Sequence, residues 1–370
     1  MSIILKTPSN GSVTLAEQDT ASDVVVTIPA TTGNAVISTP DLAYSPFIGF
    51  RNRIINGAMV IDQRNAGAAV TYTNSNSYNL DRYLTDMSPN GSLQIQQVSD
   101  APAGFVYSMK GTILTATAGS SGQAAYLARH IIEGNNIADF GWGSANAQTA
   151  TLSFWAKSSV TGTFSVGVAN GAFNRGYAAT YTINVANTWE FKSLIIPGDT
   201  SGTWLTTNGI GIRLYWNIGS GSSFLGAANV WQGSGLIGAT GSTSIINTLN
   251  ATFYITGVQL EKGSTATPFE FRSIGDEFAL CQRYYETCPY DILNVGYGTS
   301  GQPFYKYSSF NTAKRAAPTV TYTNVGASGF NGAYATNTAH INGVSWTTTC
   351  NFTGAGTLFA VPIWFANAEL

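Results

Sequence analysis

The decapeptide GIGIRLYWNI, Gly209 to Ile218, alternates apolar and polar side chains. In an extended chain Ile210, Ile212, Leu214 and Trp216 fall on one face and Arg213, Tyr215 and Asn217 on the other, the period-two pattern of a half-buried antiparallel strand. Similar short runs, rich in Val, Ile, Thr and aromatics, recur as TLSFWAKSS (151–159), GTFSVGVAN (162–170), AATYTINV (178–185), WEFKSLIIPG (189–198) and ATFYITGVQLE (251–261). Each is bounded by Gly, Asn, Ser or Pro, which marks strands separated by turns. Six or more such strands imply an all-β chain built around a sandwich.

Composition agrees with a folded chain of this kind. The 370 residues carry a net charge of -2, with 44% hydrophobic residues, 12% aromatics and only 10% Asp, Glu, Lys and Arg. Solubility therefore rests on Ser, Thr, Asn and Gly, and the aromatic supply is enough for real cores. The 17 basic residues are spread thinly against 19 acidic ones, so no cationic stripe for nucleic acid exists. The N-terminal run Ile3, Ile4, Leu5 is too short for a secretory signal, and FAVPIWFA (359–366), interrupted by Pro362, is too short to span a bilayer. Three cysteines, Cys281, Cys288 and Cys350, without a CxxC pair suggest buried free thiols rather than a disulfide framework or zinc site. The repeated pentapeptide VTYTN, at Val70 and Val320, has no matching surroundings and no fixed period, so a solenoid is excluded. The glycine-dense stretch 217–244, which carries Phe224 and Trp231, reads as a long ordered surface loop.

One helix signal stands out. Ser273 is an N-cap with Asp276 three residues on, and Pro289 stops the helix, which is expected to run from Ile274 to Thr287. Ile274, Phe278, Cys281 and Tyr285 form a narrow apolar stripe. A helix this short is marginal alone in water, so the stripe is expected to be buried against the sandwich or against other copies of the chain.

Catalytic signatures are sparse. GSGLIG (233–238) satisfies GxGxxG but lacks a following helix and a βαβ unit, so it reads as a loop. His130 and His340 sit in no HExxH, and no GxSxG elbow is present. His130, Arg129 and Glu133 read as one polar cluster. Carboxylates that a glycosidase would need include Asp62, Asp81, Asp139, Glu190, Glu261, Glu270 and Glu277, but one sequence cannot pair them. The chain is expected to be non-catalytic, with no cofactor and no metal site.

Sugar binding needs aromatic faces flanked by amide and charged groups. Phe154 and Trp155 are adjacent, so one ring must leave the core of its sheet. Tyr177 and Tyr181 share a face if 175–183 is continuous strand, and with Arg213, Tyr215 and Asn217 they make a candidate carbohydrate-binding groove. Trp142 and Trp231 lie among glycines, where a loop either presents a ring or plugs the end of a sandwich. Lys314 and Arg315 read as a solvated bend, and the end at Leu370 is expected to dock because it follows an aromatic-rich strand.

The ordered series RIINGAMVIDQRN (53–65), NLDRYL (79–84), TLSFWAKSS, VQLEKGSTATPFEFRS (258–273) and DEFALCQRYYE (276–286) resembles a recurrent module of bacteriophage tail fibre and virion structural proteins, covering roughly residues 50 to 288. That module is similar to the jelly-roll carbohydrate-binding modules attached to glycan hydrolases. GSVTLAEQDTASDVVVTIPATTGNAVIS (11–38) likewise resembles a segment at the front of tail fibre proteins; its apolar strand, Val24 to Ile28, requires partners. The resemblance implies an N-terminal virion-attachment and oligomerisation segment (1–46), a central jelly roll (47–272), a connecting helix (273–288) and a C-terminal β domain (289–370). It also implies a homotrimer located in the virion, contacting other virion proteins through the N-terminal segment and host-surface glycan through the jelly roll. Ile274, Phe278, Cys281 and Tyr285 would then make oligomer or interdomain contacts. Similar modules often hold calcium, although no compact acidic loop surrounds Glu261. The other implied role is capsid or neck decoration, as a head-fibre protein with no required sugar binding.

Overall fold

The structure is a computed structural model that describes residues 50–288, 293–298, 300–328, 335–349 and 354–370, together with the backbone of two N-terminal strands. The chain forms two compact units, Met1–Phe47 and Ile48–Leu370. In the first, β1 (Ile3–Lys6) pairs antiparallel with β2 (Ser12–Leu15). The strand expected at Val24 to Ile28 and the third cysteine, Cys350, lie outside the described residues.

The second unit is all-β with one short α-helix among the described residues. Its chain crosses repeatedly between two sheets. β3 (Val70–Tyr72) lies in the first sheet, and β4 (Ser75–Leu80) with β5 (Tyr83–Met87) in the second. β6 (Ser92–Val98) and β7 (Ser108–Thr115) return to the first, and β8 (Ala125–Glu133) goes back to the second. β9 (Ala150–Ser158) is in the first, β10 (Gly162–Asn170) and β11 (Gly176–Ile183) in the second, and β12 (Glu190–Ile196) in the first. β13 (Ile210–Asn217) sits in the second; two short parallel strands, β14 (Leu225–Gly226) and β15 (Gly238–Ala239), tie down the glycine-rich loop; β16 (Thr252–Lys262) completes the first. The sheet orders are β12-β9-β16-β7-β6-β3 and β11-β10-β13-β8-β5-β4. Two antiparallel six-stranded sheets linked by crossings of this kind form a jelly-roll sandwich.

The alternation in β13 does what its sequence requires. Ile212, Leu214 and Trp216 enter the main core with Phe154, Phe164, Phe253 and Leu260, while Tyr215 packs on the opposite face. Of the adjacent pair, Phe154 is fully buried between the sheets and Trp155 points outward.

The helix α1 (Ile274–Gln282) is shorter than expected. Ser273 does cap it, accepting the Asp276 amide at 3.2 Å. It ends early because Tyr285–Cys288 has a better use as a strand, β17, paired with the last strand. The buried side of the helix is also rotated from the expected stripe. Glu277 and Cys281 on α1 and Tyr284 just after it face inward, whereas Ile274 and Phe278 are 63% and 39% exposed. The cause is polar: Glu277 receives the Asn56 amide and pairs with Arg272 at 3.3 Å, which fixes that side of α1 against 52–61. Cys281 completes this contact by packing with Ile55, Ile61 and Tyr284. Cys281 and Tyr285 are therefore buried within the protomer, and Ile274 and Phe278 stand on its surface.

The remaining strands are β18 (Leu293–Gly298), β19 (Pro303–Ser309), β20 (Thr319–Ser328), β21 (Ala335–His340), β22 (Gly343–Thr349) and β23 (Gly354–Asn367). β23 pairs with β17 and β18 on one side and β20 on the other, and β19-β22-β21 form a second small sheet. Phe310, Val344, Trp346, Trp364 and Ala366 make a separate core between them. Lys314 is not on a solvated bend: it is 2% exposed, ion-paired with the buried Glu286, and donates to the Gln282 carbonyl at 2.6 Å. A carboxylate buried on β17 requires such a partner. Arg315 binds the carbonyls of Ala368 and Glu369 at 2.6 and 3.2 Å, so the C-terminal segment docks as expected. No helix among the described residues is long and apolar enough to cross a membrane.

Candidate functional site: an aromatic cleft on the first sheet

The seven sugar-binding candidates do not make one groove. Register pairs Tyr177 with Val168, and Val168 with Leu214, so Tyr177 and Tyr181 share a face, but it is the core face. Tyr181 packs edge-on against Phe154 at 5.2 Å, and burial pushes its hydroxyl pKa upward. Arg213 and Tyr215 point through the other side of the sheet. There Tyr215 meets Tyr126 at 5.1 Å and Phe173 at 5.9 Å, beneath Phe224 and Ile237 of the glycine-rich loop. Arg213 donates to the Gly171 carbonyl at 2.8 Å. Asn217, 2% exposed, spends its amide on Ser242 and on the backbone of Ser220. Trp142, Trp231 and Tyr177 do come together, joined by Trp204, with ring centres 4.7 to 5.5 Å apart. These rings extend the main core, and the Trp142, Trp204 and Trp231 indoles donate inward to Gln148, Asp199 and Pro197. Loop tryptophans close one part of the sandwich here.

The carboxylates are equally committed. Asp62 accepts the Asn65 and Gly67 amides, Asp139 pairs with Arg53 at 2.9 Å, and Glu190 accepts Asn184 and Val185. Glu261 holds Thr267 through its amide and hydroxyl at 2.9 and 2.6 Å, and Glu270 holds the Asn52 amide at 2.5 Å. Asp81 accepts both the Gln63 backbone and side-chain amides at 2.7 and 2.6 Å; burial pushes its carboxyl up to about 6. His130 does not join Arg129 and Glu133 in one cluster, because alternation along β8 turns it to the opposite face of the sheet from both. His130 lies inside against the Tyr83 ring at 4.9 Å, and Glu133 pairs with Arg283 at 3.0 Å. Among the described residues no group of three or more His, Cys, Asp or Glu is placed to hold a metal ion.

The outer face of the first sheet is different. Trp155 on β9 and Phe191 on β12 are register partners, with ring centres 5.5 Å apart. Beside them Phe105, Phe269 and Phe271 form a triangle with centres 4.8 to 5.4 Å apart. Together with Ser153 and Thr267 these rings line an open cleft of about 440 Å³. Phe191 and Phe271 are 48% and 62% exposed, which is costly for rings of that size unless they serve a surface role. The cleft depends on Gly257, at φ +61°, where β16 changes register; a Cβ there would lie 2.6 Å from the Phe105 ring and 3.1 Å from Trp155.

Two residues along β9 the chemistry becomes polar. Lys157 pairs with Asp100, whose carboxyl that bond holds below its usual range. The Lys157 ammonium lies 4.2 Å over the Tyr254 ring and 5.1 Å from Trp189, whose indole donates to Asp100 at 3.2 Å. One sheet face therefore carries a hydrophobic platform beside a charged, aromatic-flanked patch. It can stack a flat apolar surface and offer ionic hydrogen bonds next to it. Sequence reasoning found only Trp155 of this set. WEFKSLII alternates between two faces that are both largely apolar, so the outward direction of Phe191 had no local marker except Lys192, which is placed inward.

No family model matches the chain, and no curated protein matches it. Among solved structures it is similar to the enzymatically active domain of tailspike protein 4 of bacteriophage CBA120, at 16% identity and a TM-score of 0.30, over 57% of this chain and 21% of that one. It is also similar to a protein described as sugar-binding from Bacteroides thetaiotaomicron, at 13% identity and a TM-score of 0.32, over 58% of this chain and 100% of that one. A family 11 carbohydrate-binding module of a Clostridium thermocellum cellulase gives 14% identity and a TM-score of 0.25, over 56% and 96%. The chain thus spans about a fifth of the tailspike domain's length, and likenesses at this level carry no inference about ligand or role.

Proposed function

We propose that the chain is a bacteriophage virion structural protein of tail fibre or spike type, whose jelly roll attaches to host-surface glycan without catalysis. The observation that carries this reading is the exposed platform of Trp155 and Phe191 beside the Lys157–Asp100 pair. Rings presented on a rigid sheet lose little entropy on binding and match the C–H faces of sugars, while the adjacent ions hold hydroxyls. The engagement of all seven named carboxylates in hydrogen bonds or ion pairs supports a non-catalytic role. The virion assignment and the trimer rest on the resemblance of residues 11–38 and 50–288 to phage proteins. A glycan array probed with the full chain tests the reading. Trp155→Ala with Phe191→Ala should remove the glycans held at this platform from the binding profile without loss of folding; no bound glycan, or a profile unchanged by the pair, overturns it.

Decoration of a head or neck is the second reading, favoured by the apolar cleft wall. Phe105, Phe269 and Phe271 bring no hydrogen-bonding groups, and Gln259 and Glu261 beside them are spent on Thr267. Labelled antibody on intact particles separates the two: signal confined to the tail supports attachment, and signal over the head supports decoration.

A further inference from the structure

A second cleft, of about 640 Å³, lies where the sandwich meets the C-terminal sheet. Its floor is set by register. Tyr285, Asn367 and Thr319 stand in one row across β17, β23 and β20, and Phe365 with Thr321 in the next. Trp364 and Ala366 occupy the opposite face, in the C-terminal core, so the floor side chains point away from it. Tyr78 of β4 and the residues Glu369 and Leu370 line the remaining sides.

Three properties define what such a cleft takes. The first is rigidity: Glu369 is gripped by Arg64 at 3.0 Å and by the fully buried Arg82, and Arg64 covers the Tyr285 ring at 3.6 Å. The second is that the charged side chain of its lining, Glu369, is already neutralised by those two guanidinium groups. The third is that β23 is hydrogen-bonded on both sides here, so the floor offers side-chain hydroxyls, an amide and the Phe365 ring rather than a free backbone edge. An added peptide strand would need that edge. An aromatic ring beside uncharged hydroxyl and amide groups matches a neutral, polyhydroxylated chain.

We infer that this junction cleft binds neutral oligosaccharide, at a place separate from the aromatic cleft and independent of it. The test titrates the full chain, by calorimetry and saturation-transfer NMR, with neutral glucan, galactan and N-acetylated chito-oligosaccharides. Thr319→Ala with Thr321→Ala, both at exposed positions, should weaken binding about tenfold. Thr321→Arg, which fills the floor, should remove this component of binding and leave that of the aromatic cleft, and Trp155→Ala with Phe191→Ala should do the reverse. The double alanine variant keeps the test decisive if the arginine variant fails to fold. Binding untouched by the threonine variants, preference for an anionic probe, capture of an extended peptide instead, or loss of all sugar binding in the Trp155 and Phe191 variant overturns the inference. The last outcome would leave the proposed function standing. Conversely, loss of all binding in Thr321→Arg would sink the aromatic cleft alone.

Discussion

His130 is a base kept away from protons. Its ring lies in the sandwich with Nδ1 buried and without a hydrogen bond, and burial first, then the Arg82 charge, holds its pKa well below 6.5. As pH falls through 6.5 the unfolded chain takes up a proton that the folded chain refuses. The stability present above pH 6.5 is then progressively lost on acidification. Asp81 acts in the opposite sense: with its folded pKa near 6, its contribution is complete below 3.8 and is lost as pH rises through 6. His130→Gln should therefore lose less stability than the parent between pH 7 and pH 5 in urea titrations. Equal acid sensitivity in the two proteins would contradict the assignment. Neither group was legible in the sequence as a titrating core residue. YLARHIIE shows only alternation, and the neighbours that set these pKa values come from far along the chain. Lys314 was misread for the same reason, since its partner Glu286 arrives by strand pairing.

Among the elements, the strands were the most legible part of the chain, because a period of two needs no knowledge of partners. The alternation in β13 and the opposed directions of Phe154 and Trp155 are both visible in the residues alone. Register is not: the residues alone allow Tyr177 and Tyr181 to share a groove with Tyr215, whereas pairing with β10 turns them inward. The helix failed in phase rather than in existence: its start was marked by Ser273, but its buried side was chosen by the Glu277 carboxylate. Tyr284→Ala should cost about 3 to 5 kcal/mol, whereas Ile274→Ser should change stability by less than about 0.5 kcal/mol. Equal costs in thermal melts would restore the expected stripe. If Ile274 and Phe278 serve the proposed trimer, Ile274→Ser with Phe278→Ser should reduce the particle mass in solution to that of one 39.0 kDa chain while leaving the protomer folded.

At the scale of the whole second unit, sandwich and C-terminal sheets share one charged junction. Arg82 is fully buried, reaches the Ile131 carbonyl, stacks on Tyr284 at 3.4 Å and is neutralised by Glu369, some 290 positions later in the chain. Removing one member of a buried pair leaves the other charged and without compensation. Glu369→Ala should thus destabilise the protein by about 3 to 5 kcal/mol, read as a lower urea midpoint, while Arg82→Met with Glu369→Leu should recover most of the loss. A loss in the single variant below about 1 kcal/mol would mean that solvent reaches the guanidinium.

That clasp also orders events during synthesis. The guanidinium at position 82 leaves the ribosome long before the carboxylate at 369 that quenches it. Until that later segment emerges the half-built sandwich holds a cation with no anion to answer it, and its closure waits on the C-terminal sheets.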